Sequence, residues 1–368
     1  MRKYYLDNLR WLVILVLFPY HVLLIYSGIG AYYFHVTDSA IADAFILSFA
    51  PWFMQLLFTV AGIATYYSLR KRSSTEYLKE RVTKLLLPTA AGVILVIPLS
   101  VYYGYLFNGY TGNFLSFWVN HLSHPLQNME NGLLLGPLWF LLYLFIVSLV
   151  ALPIIMKYKN SQWRIPIEKV TVPKLLVLVI PLAIGSIFLD LYPDKSILQF
   201  FLLFLFGYFL LSDDSIQQKL EDRRWPLFIS FLVLTVIYVV ITVPSLSSAG
   251  ETAPATALTL SSIISLLVLK LYVNAILWLG VLGVMGMGKH YLEFKNKKTL
   301  YLSAVSFPIY IFHIVWVNLF AYYIIGWIPD MMVLQVILTL ALSFVFTIAT
   351  IEVVRRIPGI RFIFGIKG

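Results

Sequence analysis

Long apolar runs alternate with short polar connections along almost the whole chain. Ten runs stand out, at 10–29, 44–68, 83–107, 133–156, 174–191, 196–212, 225–243, 257–286, 300–325 and 331–353. A bilayer core takes roughly 20 apolar residues of helix to cross. Lipid tolerates only helices or closed barrels, and these runs are too long for barrel strands. The predicted fold class is therefore all-α, a polytopic membrane protein of about ten transmembrane helices in a single domain spanning residues 1–368. The fifth and sixth runs are joined by only Leu191-Tyr-Pro-Asp-Lys195, which predicts a tight helical hairpin or a re-entrant pair. Scattered Lys, Arg and Glu beside Tyr77 and Leu78 predict an interfacial amphipathic helix over 73–84.

Charge supports this reading and orients it. Of 368 residues, 60% are hydrophobic and 12% charged, against about 25% charged in a soluble domain. The net charge of +10 is confined to alternate connections. Twenty-four of the 27 Lys and Arg cluster around 2–3, 70–84, 157–174, 219–224, 289–298 and 355–367, whereas the opposite connections hold only Lys195. By the positive-inside rule both termini are expected in the cytoplasm, and an even number of spans follows. The pattern is that of a multi-pass cell-membrane protein with the bilayer as partner and no nucleic acid. The chain has no cysteine, which removes disulfides and thiolate metal sites. The first run lacks a small-residue cleavage site and more spans follow, so it is expected to be retained.

Ionisable residues inside a bilayer are costly and thus candidate functional groups. The first run holds two, Arg10 at its cytoplasmic mouth and His21 past its middle. Eleven positions make about three helical turns, which puts both on one face roughly 16 Å apart, with Ile14 and Leu17 between. Arg10 has two readings, a snorkelling anchor or a fixed cation for phosphate. Asp7, three residues earlier, is spaced to orient it. His21 is either a hydrogen-bonded structural group or a general base. Together they fit a long ligand with phosphates at one end and a reactive group at the other. His313 in the ninth run is expected at nearly the depth of His21. Two histidines fall short of a zinc site; His35, His121 and His124 belong to the outer side and His290 to the inner, so no metal is expected. Glu352 ends the last run with Arg355 and Arg356 as ready partners, and Lys270 lies within the eighth run. Trp139 opens the fourth run, where an interfacial anchor is expected. The connection Asn108–Gly132 holds His121, His124, Glu130 and several Asn but no Lys or Arg. It reads as an ordinary solvated loop or as the mouth for a polar ligand. No phosphate loop, dinucleotide fingerprint or serine-nucleophile elbow is present.

Arg10, ten intervening residues and His21 resemble the signature of the integral-membrane acyltransferase family 3. The resemblance extends to Leu6-Asp7-Asn8, to Leu138-Trp139-Phe140-Leu141, to Ser306-x-x-Ile-Tyr310-x-x-His313, and to Glu352…Arg356-Ile-Pro358…Phe364-Gly365. It covers essentially the whole chain and is similar above all to the branch containing glucan biosynthesis protein C, associated with succinyl transfer to periplasmic glucans. Leu142, Tyr143 and Leu144 stand where the O-antigen acetylase branch often has a glutamate. No soluble domain follows the last run, which argues against a fused peptidoglycan O-acetyltransferase.

The resemblance implies an O-acyltransferase that moves an acetyl or succinyl group from cytoplasmic acyl-CoA to a hydroxyl of an extracytoplasmic glycan. Acyl-CoA is then a co-substrate, with no tightly bound cofactor. Arg10 would hold its phosphates, and His21 would act as base with His313 orienting it or sharing its proton. Tyr20, Ser306 or Tyr310 would donate to the oxyanion, and Lys270 would meet a succinyl carboxylate. The alternative is a transporter or flippase, with Arg10, His21, Lys270, His313 and Glu352 lining a path. Against it, no pair of Gly/Pro-broken helices recurs at matching places in two halves.

Overall fold

The computed structural model describes residues 3–29, 33–192, 195–248 and 259–366. Arg2, Pro193, Asp194, Ala257, Leu258 and Lys367, used in the reading above, lie outside them. In chain order the helices are α1 (Tyr4–Leu24), α2 (Ala40–Phe49), α3 (Phe53–Leu69), α4 (Ser74–Arg81), α5 (Leu87–Leu95), α6 (Ile97–Phe107), α7 (Phe114–Ser123), α8 (Pro125–Glu130) and α9 (Trp139–Asn160). Then follow α10 (Val172–Leu176), α11 (Val179–Gly185), the short strands β1 (Asp190–Tyr192) and β2 (Lys195–Ser196), and α12 (Ile197–Phe206). The chain continues with α13 (Asp214–Asp222), α14 (Arg224–Ser248), α15 (Leu260–Tyr291), α16 (Lys297–Trp327), α17 (Met332–Arg356) and α18 (Pro358–Ile363). Among the described residues 80% are helical, as in an all-α polytopic membrane protein.

Among the described residues eight runs are long and apolar enough to cross a membrane: Tyr4–Leu24, Ala40–Leu69, Ser74–Phe107, Gly136–Asn160, Arg224–Leu246, Leu260–Tyr291, Lys297–Trp327 and Met332–Arg356. The other two expected spans take different forms. Ile197–Leu211 bends by 97° into α13. The fifth, expected at 174–191, is the shorter helix Val172–Gly185. At its end Ser196 Oγ lies 2.6 Å from the carbonyl oxygen of Gly185 and 2.5 Å from that of Phe188, and the β1–β2 hairpin follows. The amphipathic stretch at 73–84 is α4, which continues through a π-turn at Val82–Leu86 into α5.

Contacts divide the chain into two units. The first comprises Met1–Arg10, Leu47–Tyr77 and Val147–Lys295. In it α3 crosses the end of α12 at two glycines, Gly62 within α3 and Gly207 just after Phe206. A Cβ on Gly62 would come within 2.0 Å of the Phe204 carbonyl oxygen, and one on Gly207 within 2.2 Å of that of Thr59. Small residues let membrane helices meet backbone to backbone, where packing rather than the hydrophobic effect holds them. A buried polar chain ties α12, α15 and Ser186: Gln199 Nε2 donates to Asn274 Oδ1 at 2.7 Å, and Asn274 Nδ2 lies 3.2 Å from Ser186 Oγ. Residues 292–294 hold the start of α1. The Glu293 carboxylate takes the N–H groups of Tyr4 (2.9 Å) and Tyr5 (3.2 Å), and Asn8 Nδ2 donates to the carbonyls of Leu292 and Phe294. A carboxylate here satisfies helix-end donors and favours the positive end of the helix dipole.

The second unit comprises Trp11–Ile46, Leu78–Ile146 and Asn296–Gly368. Its centre is α16, packed on α17 and α6. Asn318 of α16 reaches the Ser100 hydroxyl of α6 at 2.8 Å, and Tyr26, just past α1, donates to Gln335 of α17 at 2.8 Å. Buried Asp43 takes the Ser27 hydroxyl at 2.6 Å and the Gly28 N–H at 3.0 Å, which fixes the turn after α1. The connection at 108–132, read as a solvated loop or as the mouth for a polar ligand, forms the helical hood α7–α8 on α6. Phe117 sits among Tyr102, Tyr105 and Tyr110 at 5.0–5.9 Å between ring centres, and His121 stacks on it at 5.6 Å. Asn113 caps α7 by accepting the Ser116 N–H at 2.9 Å.

Candidate active site

Within the second unit α1 and α16 bring His21 and His313 together. Nε2 of His313 lies 3.4 Å from Nδ1 of His21, and the ring centres are 5.0 Å apart at 60°. Each histidine follows a proline in its own helix, Pro19 in α1 and Pro308 in α16. A helical proline removes one N–H and bends the helix locally. His313 is fully buried and His21 half-buried. Phe18 lies edge-on to the His313 ring at 5.8 Å and to Phe344 at 5.6 Å. Tyr20 meets His21 edge-on at 5.6 Å.

The backbone decides which nitrogens carry hydrogen. His21 Nδ1 lies 2.9 Å from the carbonyl oxygen of Leu17. His313 Nδ1 lies 2.9 Å from that of Tyr310 and 3.2 Å from that of Ile309. A carbonyl can only accept, so in the neutral pair both Nδ1 atoms are donors and both Nε2 atoms carry the lone pair. The lone pair of His313 faces His21. The tautomer leaves the basic lone pair of His21 on Nε2.

The remaining expected residues divide as follows. Tyr310 is buried and donates its hydroxyl to the Pro137 carbonyl in the turn before α9. Ser306 donates to the Ser303 carbonyl at 3.0 Å. Both hydroxyl hydrogens are engaged by backbone carbonyls in this structure. Trp139 is only 8% exposed, packed against Tyr143 at 5.5 Å, so it is a core residue rather than an interfacial anchor. Glu352 accepts from Tyr301 and from Arg355, each at 2.9 Å, as its neighbours led one to expect. Arg10, 39% exposed, donates to Asp7 at 3.2 Å, and both belong to the first unit. Lys270 also belongs to the first unit, on α15, where its carbonyl takes Asn274 Nδ2 at 2.8 Å. His290 pairs with Glu221 at 2.9 Å and His35 with Asp38 at 3.1 Å.

Sequence reading missed the carbonyls of Leu17 and Tyr310, which set the tautomers. The signal was present: a helical histidine followed back by three or four positions meets the carbonyls its own Nδ1 can reach. It also missed Phe18, one residue from the face it considered.

Residues 3–352 match the family described as an acyltransferase domain. The chain belongs to this acyltransferase family. The family match spans residues of both units. Among curated relatives, the glucans biosynthesis protein C of Salmonella typhi and that of Salmonella typhimurium are each 27% identical over 168 residues, which is 44% of this chain and 41% of theirs. The same protein of Salmonella paratyphi B is 27% identical over 165 residues, with the same coverage. The match thus spans about two-fifths of the relatives' length. No solved structure matches the chain significantly.

Proposed function

We propose that this acyltransferase takes its acyl group, acetyl or succinyl, from acyl-CoA on the cytoplasmic side of the cell membrane and gives it to a hydroxyl of an extracytoplasmic glycan, with both termini in the cytoplasm. The reading rests on one observation above all. Inside a family of acyltransferases, a half-buried histidine has its Nδ1–H pinned by a backbone carbonyl, which leaves its basic lone pair on Nε2. A base within hydrogen-bond reach of an attacking hydroxyl is what acyl transfer requires.

In the proposed step the acceptor O–H gives its proton to His21 Nε2 while its oxygen attacks the thioester carbonyl carbon. The carbon–sulfur bond then breaks, and CoA leaves as thiolate. That thiolate takes up a proton, and the proton on His21 Nε2 is released, so the pair ends neutral. The products are the ester and CoA thiol, and no acyl-enzyme is needed. Arg10, held by Asp7 and still partly exposed, would bind the CoA phosphates with its planar donor fork. The name of the curated relatives supports a glucan acceptor and their distant match supports it only as a class.

The test uses full-length protein in nanodiscs with acetyl-CoA and succinyl-CoA, following CoA thiol release with a thiol reagent. The chain has no cysteine, so every thiol detected is CoA's. Arg10→Ala is expected to weaken donor binding at least tenfold, and His21→Ala to bind donor but release no CoA. Full turnover by folded His21→Ala would refute the mechanism.

A further inference from the structure

We infer that His313 is a positioning residue: as a neutral acceptor for the Nδ1–H of His21, it directs the basic nitrogen of His21 outward to substrate and never itself takes or gives a proton. The inference rests on the proposed role of His21 and adds a specific function for the second histidine.

Three observations carry it. First, His313 is fully buried and its Nδ1 hydrogen is held by two carbonyls of its own helix, those of Tyr310 and Ile309. No substrate hydroxyl reaches this imidazole, and its ring cannot flip without losing both bonds. Second, its one remaining polar atom, Nε2, faces Nδ1 of His21 at 3.4 Å. That is long for an N–H···N bond, because Leu17 at 2.9 Å already holds the same hydrogen. The Nδ1–H is therefore shared between a near carbonyl and a farther lone pair. Third, the ring is fixed from the side by Phe18, which stacks edge-on between it and Phe344.

The consequence appears when His21 takes the acceptor's proton on Nε2. The imidazolium then carries a stronger donor at Nδ1, inside a low-dielectric interior where charge is costly unless it is hydrogen-bonded. Leu17 alone offers one carbonyl. The His313 lone pair offers a second acceptor at the place where charge develops, and catalytic hydrogen bonds often tighten only then. His313 keeps its own Nδ1 hydrogen throughout, so the proton balance of the transfer is unchanged.

The experiment compares wild type, His21→Ala, His313→Leu, His313→Met and His313→Gln as full-length protein in nanodiscs, with acetyl-CoA and succinyl-CoA as donors and thiol release as readout. Expected are a fall of at least tenfold in kcat for His313→Leu and His313→Met with KM for the donor unchanged, and recovery to within about threefold of wild type in His313→Gln, whose amide oxygen can accept. Wild-type kcat in the apolar variants overturns the inference. An equal loss in His313→Gln also overturns it, because that outcome means the imidazole itself relays a proton. Histidine 15N NMR of the wild-type protein, assigned with the variants, tests the inference even where a variant fails to fold. Hydrogen on Nδ1 of both residues is expected, and hydrogen on Nε2 of His313 overturns it. If His21→Ala turns over normally, it is the proposed base that fails, and the two failures are separable.

Discussion

Tyr310 gives its phenolic hydrogen to the carbonyl oxygen of Pro137, and by its own carbonyl it holds Nδ1 of His313. One residue thus fastens the turn that opens α9 and sets the tautomer of the histidine beside His21. Tyr310→Phe keeps the ring and the backbone carbonyl but leaves a buried carbonyl unsatisfied, at a cost of about 1–3 kcal/mol. The expected result is a lower thermal midpoint with the 15N signature of His313 unchanged. An unaltered midpoint would mean that the hydroxyl is not engaged there.

A second prediction concerns three buried hydroxyls on one face of α17. Thr339, Ser343 and Thr347 are each at most 1% exposed. Among the described residues their hydroxyls have no hydrogen-bond partner. Elsewhere the helical hydroxyls of Thr65, Thr89 and Thr235 donate to the carbonyl four residues back at 2.7–2.9 Å. A buried hydroxyl without a partner is a cost, so its removal is a gain. The combination Thr339→Val, Ser343→Ala, Thr347→Val is expected to hold or raise thermal stability, whereas Thr89→Val lowers it. A marked loss in the triple variant would show that the hydroxyls meet a partner in the working protein.

The α3–α12 crossing yields a third. Gly62→Ala and Gly207→Ala each drive a methyl into the opposing backbone. Backbone cannot yield as a side chain can, so each substitution is expected to destabilise the first unit by more than about 2 kcal/mol. Gly326→Ala on α16, with nothing within 4 Å of the new methyl, is expected to be silent. Thermal melts of the three side by side decide it, and equal melts would refute the close crossing.

The hood carries a pH dependence. Burial holds the His121 imidazole below its ordinary value. The unfolded chain protonates this residue near about pH 6.5. As pH falls through that value the unfolded state binds more protons than the folded one, so stability falls with it; above it the term vanishes. His121→Phe keeps the stacking on Phe117 and removes the titration. Hydrogen exchange over residues 114–130 is expected to quicken on acidification in wild type and to quicken less in the variant. Identical acid responses would remove His121 as the cause.

The apolar elements were legible in the sequence because bilayer thickness dictates their length, and the depth shared by His21 and His313 followed from counting turns. The bond between Asp7 and Arg10 was legible for the same reason, being local to one helix. What the sequence did not disclose spans long separations. Glu293 caps α1 from 289 residues away, and Tyr310 finds Pro137 across 173. Trp139 read as an interfacial anchor because burial against Tyr143 is decided by neighbours the sequence does not name. The hood was partly readable: Phe114, Phe117 and His121 recur at helical spacing behind an Asn113 cap, a pattern outweighed by the polar residues around it.

The two histidines are separated by 292 positions, His21 on α1 and His313 on α16. At about 5–20 residues per second of synthesis, roughly 15–60 s pass between the emergence of one and of the other. Throughout that interval the ribosome-bound chain holds a histidine without its companion. The pairing of His21 with His313 therefore belongs only to a chain in which α16 has been made and packed on α17 and α6.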